Sequence, residues 1–148
     1  MQFDSERTVS NVNVGEENTA IGQAEKVSGK KHVLIVDDDP IELKMLRYYL
    51  KDNYMVTAIS SGKVAVEFLS KYTPDLILLD YLMPEHNGAA VLKDIQSSDK
   101  TRNIPVYFLT GRTDEDTIRE CLGLHPAGYI VKPVAKDALL AKIKEALR

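Results

Sequence analysis

The sequence predicts an α/β domain: a five-stranded parallel sheet, doubly wound, with helices on both faces. Two observations carry that prediction. From His32 onward, short apolar stretches alternate with amphipathic ones, and strands that alternate with helices form parallel sheets through right-handed crossovers. The stretch Leu76 to Leu79 is apolar without a break and stops at Asp80, which suits a strand buried on both faces.

Residues 1 to about 30 are of a different kind. Asn, Ser, Thr, Glu, Gln and Gly dominate there, with isolated apolar residues and no sustained period. This stretch, 1–30, reads as a flexible tail or linker, leaving 31–148 as the folded domain. The first strand is Val33 to Val36, ending in Asp37-Asp38-Asp39. Pro40 suits the first turn of a helix and Asp39 its N-cap, so a helix is expected from there to about Lys51. On it Leu43, Leu46 and Leu50 share the side that packs on the sheet. Ile41, Met45 and Tyr48 fall nearly opposite, at about 3.6 residues per turn.

Tyr54 to Ile59 is mixed in polarity and reads as an edge strand. A helix follows over Gly62 to Lys71, with Val64, Val66, Phe68 and Leu69 as packing candidates. Asp75 to Asp80 forms the third strand, and Pro84 and Gly88 punctuate the loop after it. Asn87 to Ser97 is a helix built around Val91, Leu92 and Ile95. Ile104 to Leu109 is the fourth strand, ending at Thr110-Gly111. Thr113 to Leu122 is a helix with Cys121 as core filler, and Gly128 to Val131 is the fifth strand. The last helix, Ala135 to Leu147, packs through Leu139, Leu140, Ile143 and Leu147.

Composition narrows the function. In 148 residues, 44% hydrophobic and 28% charged content permits a sizeable core, and a net charge of -3 argues against binding nucleic acid through a basic face. A single cysteine excludes an internal disulfide, and no Cys/His cluster suggests zinc. The N-terminal stretch lacks the apolar core of a signal peptide, and no apolar run approaches bilayer-spanning length, so a cytoplasmic location is expected.

Chemistry collects at the strand ends. The first strand ends in Asp37 and Asp38, the third in Asp80, the fourth in Thr110 and the fifth in Lys132-Pro133. A parallel sheet brings these ends to one edge, where open α/β sheets bind their ligands. Clustered carboxylates resist ionising unless countered. Lys132 can pair with one of them, and a hard divalent cation such as Mg2+ can bridge others, taking carboxylate, water and phosphate oxygens. The set could hold a phosphoryl group by its charge and by hydrogen bonds, and a carboxylate there could accept it covalently.

The segments VLIVDDDP, LILLDYLMP with Gly88, FLTG and YIVKP together resemble the receiver domain of two-component response regulators, over residues 32–148. The resemblance implies a flavodoxin-like sheet of order 2-1-3-4-5; a chemotaxis member of this family is a standard example of that order. It implies that Asp80 is the phosphoacceptor, charged by a phosphohistidine on a sensor histidine kinase or histidine phosphotransfer protein. Asp37, Asp38, Asp80 and the backbone carbonyl of Leu82 would hold magnesium. Thr110 would hydrogen-bond the phosphoryl group and Lys132 pair with it, while Tyr129 turns inward as Thr110 moves. The outward residues Ile41, Met45 and Tyr48 would then form a partner face. Output is expected through contact with a downstream protein target, because no further domain follows the last helix. No enzyme activity is expected beyond magnesium-dependent self-phosphorylation and slow self-dephosphorylation. Leu82 and Arg112 would flank the hydrolytic water without activating it, giving a long-lived phosphorylated state.

Other readings are a phosphorelay intermediate, a receiver segment of a hybrid sensor kinase, a scaffold without phosphorylation, or an aspartyl-phosphate phosphohydrolase. The last lacks an acid at Leu82 and a cap domain. His125-Pro126 stands where the family often has Gly-Ala. His86 reads as a solvent-facing loop residue, and Ser61-Gly62-Lys63 lacks the upstream glycine of a phosphate-binding loop.

Overall fold

In β1 (His32–Val36) and β3 (Leu76–Asp80) every residue is buried. Successive side chains of a strand point to opposite faces, so each strand supplies two cores. Val33, Ile35, Leu76 and Leu78 enter one; Leu34, Val36, Ile77 and Leu79 enter the other. That is the physical reason for the unbroken apolar runs. The computed structural model describes residues 29–111 and 115–148. The tail reading, up to residue 28, and the role given to Arg112 lie outside them.

β1 lies between β2 (Met55–Ile59) and β3, followed by β4 (Val106–Thr110) and β5 (Gly128–Val131), all parallel in the order β2-β1-β3-β4-β5. β2 is an edge strand, as its mixed polarity predicts. Helix α1 (Pro40–Leu50) and helix α5 (Lys136–Ala146) cover one face through Leu46, Leu50, Leu139 and Ile143. Helices α2 (Gly62–Leu69), α3 (Gly88–Gln96) and α4 (Glu115–Gly123) cover the other through Ala65, Leu69, Val91, Leu92, Ile95 and Cys121.

Helix starts follow their caps. The Ile41 N–H donates to Asp39 Oδ1 at 2.9 Å, Val64 N–H to Ser61 Oγ at 3.1 Å and Ala90 N–H to Asn87 Oδ1 at 3.0 Å. Ser61 is therefore the N-cap of α2, and Asn87 precedes α3 rather than opening it.

Several expectations are corrected. Val64 is exposed and Ala65 takes the buried place, because α2 begins at Gly62 and presents the 62-65-69 stripe to the sheet. Met45 is half-buried and packs against the α1 and α5 core, so it does not face away with Ile41 and Tyr48, which are 77% and 64% exposed. β4 begins two residues late, after Pro105, and includes Thr110. His86 stays on a solvent-accessible loop, as expected, with its Nε2 2.7 Å from Asp94 Oδ2 on α3.

The loop from β3 to α3 folds tightly back on the strand end. Gly88 N–H donates to the Tyr81 carbonyl at 3.1 Å, and a Cβ at Gly88 would lie 2.5 Å from the Asp80 carbonyl oxygen. Backbone cannot yield as a flexible side chain does. Gly88→Ala is expected to cost about 1–3 kcal/mol of stability, the usual range for overpacking, measured by urea denaturation. A neutral result would show that the loop has slack.

Candidate functional site

The topology brings the polar strand ends together at the carboxyl edge. β1 and β3 are neighbours, so Asp37, the residue after Val36, lies beside Asp80. Thr110 pairs with Val131 across β4 and β5, and Lys132 comes next. Asp37 is fully buried, Asp80 is 5% exposed and Thr110 2%. Asp38 is exposed at the mouth.

Lys132 binds this crevice together. Its Nζ donates to Asp37 Oδ2 at 3.0 Å and to Asp80 Oδ1 at 3.2 Å. The second oxygen of Asp37 accepts the Asp39 N–H at 3.0 Å, which ties the start of α1 to the same carboxylate. Burial pushes the Asp80 carboxyl up to about 7, Asp37 adds to the shift, and Lys132 opposes it. For Lys132, burial works against the charged form, but the hydrogen bond and charge of Asp37, then Asp80, outweigh it and leave the ammonium above its ordinary value.

One carboxylate oxygen from each of Asp37, Asp38 and Asp80 lies within 4.8 Å of the others. Such an all-oxygen, anionic set fits a small hard cation such as Mg2+. Leu82 follows two residues after Asp80 with its side chain 54% exposed. Tyr129 is half-buried against the core beneath α2, α3 and α4, paired in register with Phe108.

Two residues here were not anticipated. Glu42, on the first turn of α1, has a carboxyl raised by burial; Lys132 opposes the shift and Asp37 and Asp39 add to it. Its Asp39-x-x-Glu42 spacing reads as ordinary helix capping, which hides it. Tyr81 stacks edge-on against Phe108, with ring centroids 5.1 Å apart, and its hydroxyl is held above its ordinary value by burial and then by Glu120 on α4. Nothing in the local sequence links residues so far apart.

Fold and crevice together define a doubly wound, flavodoxin-like domain with a lysine-bridged acidic pocket at the carboxyl edge of its sheet. The chain belongs to the response regulator receiver family: the family described as "Response regulator receiver domain" matches residues 33–144. It is 34% identical over 122 residues to two-component response regulator ORR5 of Oryza sativa, covering 81% of this chain and 91% of that protein. It is 37% identical over 116 residues to a probable cyclic di-GMP phosphodiesterase of Vibrio cholerae, covering 78% of this chain but only 26% of that protein. The chain thus spans about a quarter of one relative and nearly all of the other. The solved structure of chemotaxis protein CheY4 of Vibrio cholerae superposes with a TM-score of 0.75 at 27% identity, covering 80% of this chain and 99% of that one.

The Asp80 shift sets a pH dependence. Between its ordinary value of 3.8 and about 7, folded Asp80 keeps a proton that the unfolded chain has lost. This group's contribution to stability therefore falls as pH rises through that window, by about 1.4 kcal/mol per pH unit at most. In metal-free buffer, Asp80→Asn is expected to gain stability relative to wild type progressively across the window, and magnesium should narrow the difference at its upper end. Urea midpoints measured across pH check this. A constant difference would mean that Asp80 ionises normally.

Proposed function

We propose that residues 31–148 form a phosphoacceptor receiver in which Asp80 takes a phosphoryl group from a phosphohistidine on a sensor histidine kinase or histidine phosphotransfer protein. The preceding residues would serve as tail or linker. The observation that carries this reading is the bridge from Lys132 to Asp37 and Asp80: an ammonium already held beside the acceptor carboxylate is placed to bind phosphoryl oxygens.

In the proposed step an Asp80 oxygen attacks phosphorus opposite the imidazole. The new O–P bond forms as the P–N bond breaks, and the electron pair stays on the imidazole nitrogen. Lys132 exchanges its contact with Asp80 for one with a phosphoryl oxygen, and the Thr110 hydroxyl donates to another. Asp37, Asp38, the remaining Asp80 oxygen and the Leu82 carbonyl would hold magnesium. When bound, magnesium neutralises charge on the transferring group. Tyr129 would turn further inward as Thr110 moves, carrying the change to a downstream protein target. Leu82 offers no side-chain hydrogen bond to an attacking water, which supports slow loss of the phosphoryl group. Among the described residues no helix is long and apolar enough to cross a membrane, and a cytoplasmic site of action fits the proposed partners.

For the partner, Ile41 and Tyr48 project from α1, which starts directly beyond Asp38 and Asp39. Exposed apolar residues next to the crevice suit the docking of a phosphohistidine-bearing helix; Met45 contributes mainly to the core.

Incubation with acetyl phosphate and magnesium, followed by intact-mass measurement, should add one phosphoryl group to wild type and none to Asp80→Asn. Asp38→Ala should stay folded but lose most magnesium affinity and labelling; labelling at the wild-type rate would sink the site assignment. In the same assay Leu82→Asn should shorten the life of the phosphorylated form, by up to about a hundredfold if the amide positions water well.

Replacing both Ile41 and Tyr48 with Asp should slow transfer from a phosphorylated histidine phosphotransfer protein while leaving acetyl phosphate labelling unchanged. Unchanged transfer would remove α1 from the partner face.

A further inference from the structure

Charge changes sign along helix α1. At the crevice end stand Asp37, Asp38, Asp39 and Glu42; beyond them come Lys44, Arg47 and Lys51, all three exposed. Asp52 lies at the far end, 3.9 Å from Lys51, and an exposed pair of that kind binds its members weakly. Lys44 has no ion pair among the described residues. Cations in the last turn of a helix suit its dipole, which accounts for Arg47 and Lys51. Lys44 stands in the second turn, where that account does not reach.

The cations are also placed in a pattern. Ile41 and Tyr48, the exposed apolar residues of α1, are seven positions apart and so nearly in line, about 10 Å from each other along the axis. Lys44 and Lys51 repeat the same interval along one flank of that row. The two rows touch: the Lys51 ammonium lies 5.3 Å from the centroid of the Tyr48 ring, within reach of a cation–π contact. The outer face of α1 is thus an apolar row edged by a basic one, and it begins beside an acidic crevice.

We propose that this face takes an amphipathic helix whose apolar residues are flanked by carboxylates seven positions apart, set to meet Lys44 and Lys51. This deepens the phosphoacceptor reading and rests on it, the occupant being the helix that carries the phosphohistidine. The change of sign also orients that helix. With its acids beside Lys44 and Lys51 they lie about one to three turns from the crevice. Turned end for end, they would meet Asp38 and Asp39, and like charges brought together at an interface reject the wrong arrangement.

The test uses two synthetic peptides of about 20 residues, long enough to hold a helix, each with leucines seven apart to meet Ile41 and Tyr48. One carries glutamates beside the leucines and the other lysines. Binding is read by fluorescence anisotropy at low and at high salt. At low salt the glutamate peptide should bind wild type roughly tenfold tighter than the lysine peptide, as two exposed attractions replace two repulsions. Lys44→Glu combined with Lys51→Glu should invert that order, and high salt should erase it. Lys63→Glu combined with Lys93→Glu, at exposed positions of α2 and α3 across the sheet, changes the net charge equally and should leave the order as it is.

Equal binding of the two peptides, or none, overturns the proposal. So does an order that survives high salt, or one that inverts equally in the α2 and α3 variant. Labelling by acetyl phosphate, which needs no partner helix, should be the same in wild type and the α1 variant. If wild type fails to label, the fault lies with Asp80 as acceptor, and the peptide measurements still decide what α1 binds.

Discussion

The contact on which the rest of this structure depends is the one from Lys132 to two buried carboxylates. Asp37 and Asp80 stand at the ends of adjacent strands, nearly without solvent, and two anions so placed would repel each other strongly. The lysine arrives from the end of β5, on the far side of β4, and reaches both. It therefore joins three strands of the sheet through charge as well as backbone hydrogen bonds. The balance is incomplete, because Asp38 brings a third carboxylate to the same cluster. A crevice left short of positive charge has standing affinity for a cation.

The sheet edge carries all this because its strands are hydrophobic elsewhere. Both cores are filled by alternate residues of the same strands, and the helices contribute narrow stripes such as Leu46 with Leu50 and Leu139 with Ile143. Burial extends to the last residue of β1, β3 and β4, and polar groups begin where burial by helices ends. Tyr81 extends this order one residue beyond Asp80. It is held by Phe108 beneath, with ring centroids 5.1 Å apart.

Much of this was legible in the sequence because the signals were redundant. Apolar runs ending in Asp37 and Asp80 locate the inner strands, and Asp39 with Pro40 locates the start of the first helix. The strand order came through the motif resemblance rather than through periodicity. The departures have separate causes. In α2 the large Val64 reads as a packing residue, yet the structure buries the small Ala65 against the sheet instead. Met45 was placed outward by angle alone, although a long flexible side chain can reach back to the core. Glu42 was invisible for another reason: its expected partner, the Asp39 N–H, is taken by Asp37, and that competition exists only in three dimensions.

The unbroken apolar character of β3 has a consequence for alignment. In a strand with one polar face, a slip of one residue would turn the polar side inward, and that cost locks the pairing. In Leu76-Ile77-Leu78-Leu79 a slip merely exchanges one branched aliphatic residue for another, so hydrophobicity alone is a weak guide to registration. What forbids the slip is the charge at the end. Shifting β3 one place would draw Asp80 about 3.3 Å down into the apolar layer and away from Lys132. The polar groups of the crevice thus act as end stops for the strands that carry them.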